Sequence, residues 1–524
     1  MAVTRPATHR SISHLLLSGH NPLSPPSTSQ SSSALLSRQS PSNPSLSPIP
    51  FNTWLSQLGR EVDTYPLQNY NQIHSISSST GHSLICYRNS RGVDRVIGLG
   101  RNESGQLGIG FTSQEGTRGL VEGFEGESVL KVKTAVQASY LLVKEDDTRN
   151  RLYSIGNSSR GKLGQPNLYS RKTPSSSNTD EEYQDEEEEE PVTRVLPRAT
   201  LIDDLPLESG KIVQIETGYE HLLVLTEAGH LYGTGCNTDG QLSLSSSNTS
   251  DHYSLTRIPL SPLLTTQEGG ILKILSGGDT SGLITKSGKL YTWGNSEYGQ
   301  GGHGKVLDQV TEMVEAVGVR EVVLREGGRR IIDYQCGGSF GVVLDDRNNV
   351  YTLGYGALGL PPTTTSSPNP SRFNPYPTLV PSLSSSSQRY SSPITRIRAA
   401  FGYAVAISDD NKAGEDKGGG GGGGKIWSWG LNNQFGRLGL GTTSSNHSPS
   451  NSGAGGGGEN RALRIENYVD EPKEVRLPIR ELGLEEEVVD EEGMGGGKKK
   501  WRLGEVELGD EGMWVEVREE VRVE

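Results

Sequence analysis

An all-β propeller is the fold class the sequence predicts, and three observations predict it. A Gly-rich pattern recurs six times along the chain. Each copy follows a second pattern of two short apolar runs around a small-residue turn. The C-terminus then carries one more upstream pattern with no Gly-rich half after it. Self-similarity at a fixed period is the signature of a repeat architecture.

The Gly-rich pattern is clearest at residues 290–304, LYTWGNSEYGQGGHG. It reads as a short strand ending in an aromatic and Gly294, then a polar turn, then Gly299-Gln300. Its relatives are 96–110 (VIGLGRNESGQLGIG), 152–165 (LYSIGNSSRGKLGQ), 231–244 (LYGTGCNTDGQLSL), the clipped 350–360 (VYTLGYGALGL) and 426–441 (IWSWGLNNQFGRLGLG). The upstream pattern is clearest at 212–226, IVQIETGYEHLLVLT, and recurs at 73–87, 129–143, 271–285, 331–344 and 394–408. Turns such as Glu227-Ala228-Gly229 join the two halves. Each unit is therefore three or four short strands, which is how a propeller blade is built.

The core G-x-N-x-x-G-Q-L-G stands at residues 100–108 and, nearly complete, at 235–242. With its upstream partner it resembles the regulator of chromosome condensation repeat family, and the chain looks most like the fungal-type mitochondrial members. The resemblance covers roughly residues 51 to 517. It implies a seven-bladed β-propeller. It also implies two roles: a mitochondrial scaffold for inner-membrane or respiratory-complex assembly, or a guanine-nucleotide exchange factor for a small GTPase.

The glycines opening the G-Q-L-G element lie at 105, 161, 240, 299, 356 and 436, giving steps of 56, 79, 59, 57 and 80 residues. The long steps need insertions, expected as disordered loops near 166–195 and 361–392. Further insertions are expected near 411–424, 442–460 and 481–500. Low-complexity composition without an apolar period supports this, and loop closure costs little extra with length. The acidic run 185–190 reads as a solvated, self-repelling loop.

The C-terminal stretch 505–517, EVELGDEGMWVEV, superposes Val506 on Ile215, Gly509 on Gly218 and Val515 on Val224. An open ring would expose sheet edges. The N-terminal segment is therefore expected to complete a shared seventh blade, with 51–59 (FNTWLSQLG) as the contributor. The domain expectation is a propeller over 51–524.

Residues 1–50 contain Arg5, Arg10 and Arg38, many Ser and Pro, and no acid; the first is Glu61. That composition predicts a mitochondrial transit peptide, with a disordered tail as the alternative. Localisation is thus expected in mitochondria, in the matrix or at the inner membrane, with the nucleus as the alternative. No run approaches the roughly 18 apolar residues of a membrane-crossing helix.

Composition limits chemistry. Acids outnumber Lys and Arg by 63 to 50, a net charge of −13, which argues against broad nucleic-acid binding. Cys86, Cys236 and Cys336 fall in different repeats and read as small buried groups, not disulfides or metal ligands. His82 and His221 share a repeat position held elsewhere by Ala138, Thr280, Phe340 and Tyr403, so they read as packing residues. His303 reads as a loop residue, and Trp293, Trp427 and Trp429 as inter-blade packing. The sequence shows no nucleophile–base set, zinc motif or phosphate loop. No catalytic, cofactor-binding or metal residue is expected, and no cofactor. The marked residues are structural: Gly100, Asn102, Gly105, Gly156, Gly161, Gly235, Asn237, Gly240, Gly294, Gly299, Gly354, Gly356, Gly430 and Gly436. Glycine permits positive φ, and Asn can bond backbone within a turn. Function is therefore expected to be protein binding on a loop-bearing face.

Overall fold

The computed structural model describes residues 8–20, 42–49, 72–89, 92–124, 128–168, 193–203, 210–245, 247–325, 328–361, 372–387, 393–409, 423–441, 443–444, 463–464, 467–484, 487–489, 495–498 and 500–523. Seven four-stranded antiparallel sheets are present among them. They are the blades of a seven-bladed propeller. Blade 1 is Gln72–Ser78, His82–Arg88, Asp94–Asn102 and Ser113–Leu120. Blade 2 begins with Val129–Ala135, blade 3 with Ile212–Thr217, blade 4 with Ile271–Gly277, blade 5 with Ile331–Cys336 and blade 6 with Arg396–Ala400.

The second strands show why the sequence folds this way. His221–Thr226, Thr280–Thr285, Phe340–Asp345 and Tyr403–Ser408 are buried at every position. Both faces of a middle strand pack against neighbouring blades, so these runs lack the strict apolar–polar alternation of a half-exposed strand. The core accordingly lies in the seams, as clusters that each draw on adjacent blades.

Blade 7 closes the ring from both ends of the chain. Its inner strands are Lys500–Leu508 and Gly512–Val523, and its outer strands are Thr8–His20 and Ser42–Pro48. Val506 pairs with Val515, as Ile215 pairs with Val224 in blade 3. The N-terminal contributor differs from the expected one. Thr8–His20 takes the place assigned to 51–59, and that segment lies outside the described residues. The expected boundary between residues 1–50 and a propeller starting at 51 therefore moves. The reason is packing: Leu15, Leu16 and Leu17 are at most 2% exposed, a full strand core where the sequence shows only a short apolar cluster.

The insertion expected at 361–392 also needs correction, because it contains Phe373–Leu379, the fourth strand of blade 5. Pro375 and Pro377 mask it in sequence, but an outermost strand has a free side on which the missing N–H is tolerated. Residues 169–192, with the acidic run, lie outside the described residues, as do 410–422 and 445–462. Within 481–500, Glu487–Val489 pairs with Gly495–Lys498.

The marked glycines sit at the end of each third strand and in the loop that follows. Gly100, Gly156, Gly235, Gly294, Gly354 and Gly430 have φ between +94° and +111°. Gly105, Gly161, Gly240, Gly299, Gly356 and Gly436 are also at positive φ. Gly235 shows the constraint: a Cβ there would lie 2.3 Å from the Glu220 carbonyl oxygen. The asparagines brace the loop across its width. Asn102 Nδ2 donates to Phe111 O at 2.7 Å while its Oδ1 accepts from Leu107 N at 3.1 Å. Asn237 repeats this with Asn248 O and Leu242 N.

Candidate functional site: the channel and its mouth

The innermost strands surround a central channel whose cavity is about 220 Å³. Side chains alternate along a strand, so every second residue of these strands faces it. The result is a set of ion pairs between neighbouring blades. Lys133 Nζ meets Glu216 Oε2 at 2.6 Å, joining blades 2 and 3. Lys273 Nζ meets Asp333 Oδ1 at 2.5 Å, joining blades 4 and 5. Arg398 Nε lies 4.0 Å from Glu507 Oε2, joining blades 6 and 7. Blade 1 contributes Ser77, whose Oγ lies 3.1 Å from Thr134 Oγ1.

Electrostatics follow from this geometry. Burial opposes ionisation of Glu216, but Lys133 outweighs it and holds the carboxyl below its usual range. Burial likewise disfavours charged Lys133, and Glu216 and Glu507 outweigh that and raise its pKa. Glu507 is pushed up, because burial exceeds the help it receives from Lys133 and Arg398. These groups are committed to one another, which makes the channel a braced axle. The sequence carries their trace as polar residues alternating within apolar inner strands, yet their pairing joins residues 60 to 109 apart, beyond any local pattern.

The turns between first and second strands and the loops between third and fourth strands share one face. Exposed aromatics gather there on blades 4 to 6. Tyr298 and Tyr355 stack with ring centroids 5.5 Å apart and remain 39% and 48% exposed. Phe401, in the turn of blade 6, is 52% exposed. Arg372 lies 3.4 Å over the Tyr468 ring. Aromatic and Arg side chains of this kind are the usual anchors of protein interfaces.

Two cations replace the loop glutamines. Lys162 and Arg437 stand where Gln106, Gln241 and Gln300 stand in other blades. Lys162 is fully buried, bonded to Ser159 Oγ at 2.9 Å and Glu220 Oε1 at 3.1 Å. Arg437 lies over Tyr403 and donates to Asp510 O in blade 7 at 2.8 Å.

The histidines are seam staples. Ser139 Oγ donates to Gln106 O at 2.8 Å, which leaves His82 Nε2–H to donate to Ser139 at 2.9 Å across the blade 1–2 seam. His221 does the same with Ser281 at the blade 3–4 seam, and its buried Nδ1 has no partner. Burial lowers both pKa values to about 4. A folded-state pKa below the unfolded value of about 6.5 means the unfolded chain binds protons first as pH falls. Stability is then complete above pH 6.5 and is lost progressively down to pH 4. At pH 5 each histidine should cost about 2 kcal/mol. Phe340 fills this position in blade 5, so His82→Phe/His221→Phe should flatten the dependence of melting temperature on pH between 7 and 5. An equally steep limb in that variant would exclude the histidines as its source.

This is a ring of blades braced at its axle and seams, with exposed aromatic groups gathered on one face. The chain is built from repeats that resemble those of the regulator of chromosome condensation family. The model of the regulator of chromosome condensation (RCC1) repeat matches residues 212–241, the first three strands of blade 3. The chain is 26% identical over 401 residues to the human RCC1-like G exchanging factor-like protein, covering 74% of this chain and 73% of that one. Its mouse counterpart is 26% identical over 314 residues, covering 57% of this chain and 58% of that protein. Among solved structures, human WBSCR16 matches with a TM-score of 0.59 at 20% identity, covering 98% of this chain and 99% of that one. Prp20p from Saccharomyces cerevisiae, described with its binding to Gsp1p and histones, matches with a TM-score of 0.57 at 15% identity, covering 100% and 93%. At these identities the structural matches establish the fold.

Proposed function

We propose that this propeller docks a small GTPase on its channel-mouth face and acts as a nucleotide-exchange factor. The carrying observation is the exposed aromatic group on that face, set on a rigid ring. The similarity to a protein named for G exchange, over most of its length, supports the choice of partner. Such a factor makes and breaks no bond. It binds the nucleotide-free GTPase more tightly than the loaded form, and by linkage the nucleotide is released.

A second reading is the mitochondrial scaffold, supporting assembly of a respiratory-chain or other inner-membrane complex. The Arg-containing, acid-free composition of residues 1–60 favours it. It concerns location and destination, so both readings can hold together, with an organellar GTPase as partner; the nucleus remains the alternative location.

The test is release of a fluorescent GDP analogue from a panel of small GTPases, with and without the full chain. At least one should release faster, and Tyr355→Ala/Phe401→Ala should weaken that effect roughly tenfold, as loss of interface anchors does. No acceleration across the panel would reject exchange. Tagged full-length chain and an Arg5/Arg10/Arg38→Gln variant, imaged in cells, would test the location.

A further inference from the structure

Blade 1 departs from its own repeat at two touching positions, beside a carboxylate. The innermost strands of blades 1 to 5 each carry a bulge after the first anchor residue. The bulge residue is Leu130, Val213, Leu272 or Ile332 in blades 2 to 5, and His74 in blade 1. Near the end of the second strand, blades 2 to 5 carry Leu142, Leu225, Ile284 and Leu344, and blade 1 carries Cys86. At the start of the third strand, blade 2 uses Asn150 to reach Ile212 O in the next blade at 2.7 Å. Blade 1 uses Asp94, whose Oδ2 accepts from Val129 N at 2.9 Å. Two apolar positions have thus become ligand types at once, beside a carboxylate.

The three groups converge. His74 Nε2 lies 3.4 Å from Cys86 Sγ and 3.2 Å from Asp94 Oδ1, and all three ligand atoms are within 4.8 Å of one another. A nucleophile relay would place thiol and carboxylate on opposite ring nitrogens. Here both face the same nitrogen, as ligands around a common ion do. Tetrahedral zinc, with bonds of about 2.0–2.3 Å, sets its ligand atoms roughly 3.3–3.6 Å apart.

We propose that His74, Cys86 and Asp94 bind a divalent cation of the zinc class, tying three strands of blade 1 together beside the blade 2 seam. Imidazole, thiolate and carboxylate supply three ligands, and water completes the shell from the side where His74 is 28% exposed. The Cys86 S–H bond breaks on binding, the sulfur keeps the electron pair for the metal, and the proton leaves to solvent. Arg88 is the resident cation: its Nε lies 2.8 Å from Asp94 Oδ1 and its Nη2 3.1 Å from Oδ2. Its side chain is 45% exposed. It can release Oδ1 outward while Oδ2 stays held by Nη2 and the Val129 N–H.

The test uses the full chain, stripped with chelator and dialysed against Zn²⁺, then separately against Co²⁺. The expected result is about one equivalent of retained metal, a thiolate-to-cobalt charge-transfer band, and a higher melting temperature with Zn²⁺. His74→Leu/Cys86→Leu restores the repeat's own residues, so it should fold, lose the metal and lose the band. Asp94→Asn, which gives blade 1 the residue type blade 2 carries at Asn150, should weaken retention at least tenfold, and is the readout if the double variant does not fold. Cys236→Ala and Cys336→Ala should keep the metal. No stoichiometric metal in the wild-type chain, or a band that survives in His74→Leu/Cys86→Leu, would overturn the site.

Discussion

Removing residues 1–20 should abolish cooperative folding, whereas removing residues 1–7 should leave the melting curve nearly unchanged. Thr8–His20 pairs with Gly512–Val523 through twelve register partners. Its three leucines serve two seams at once. Leu16 joins the cluster shared with blade 6, while Leu15 and Leu17 join the one shared with blade 1. Ser18 Oγ adds a bond to Arg437 O in blade 6 at 3.0 Å. Burying three leucines contributes roughly 5–9 kcal/mol, comparable with the roughly 5–15 kcal/mol net stability of a whole domain. Deletion also exposes an unpaired edge on Gly512–Val523, an aggregation hazard. Circular dichroism melts and soluble yield would read the outcome; Leu16→Ala, expected to cost about 2–5 kcal/mol, gives a graded version. A folded disc after removal of residues 1–20 would show that the ring closes without this strand. The same packing constrains targeting. Cleavage after residue 50 would remove the outer half of blade 7, so an import signal that leaves the disc intact must spare Thr8–His20.

The parts of this fold legible in sequence are those imposed by local backbone geometry. A third strand ending in positive-φ glycine leaves Gly at fixed spacing, and six such marks reveal six blades. A middle strand packed on both faces leaves an uninterrupted apolar run, such as HLLVLT at His221–Thr226. Blade 7's third strand carries neither mark. Thr8–His20 lacks the G-x-N-x-x-G turn and lies among Ser and Pro, so only pairing with residues some five hundred positions away defines it. Phe373–Leu379 is hidden for a related reason: an outermost strand is held on one side and tolerates prolines that would break a central one. At the candidate site, the exchange of the histidines with Phe and Tyr marks them as packing residues. Their serine partners, and the channel ion pairs, depend on the ring bringing successive blades together. Exposure of Tyr355 and Phe401 is likewise a property of the closed face.

Trp429→Ala should be among the most destabilising single substitutions in the ring. Trp429 is fully buried within the cluster at the blade 5–6 seam, and its Nε1–H donates to Ala357 O at 3.0 Å. Trp293 makes the same kind of bond to Gln241 O at 2.7 Å across the blade 3–4 seam, and Trp514 reaches Ser83 Oγ at 3.1 Å across the blade 7–1 seam. Truncating such a ring costs about 3–5 kcal/mol for lost burial and the remaining cavity. An orphaned buried carbonyl adds about 1–3 kcal/mol. Trp429→Phe separates the two effects, because it keeps most of the apolar volume and loses the donor; it should cost about half as much. Leu431→Ala, two residues away and 42% exposed, is the control and should change stability by less than about 0.5 kcal/mol. Urea midpoints at constant slope would rank the three variants. A Trp429→Ala midpoint no lower than that of Leu431→Ala would mean that the seam is held by the strands on either side, and that the indole merely fills it.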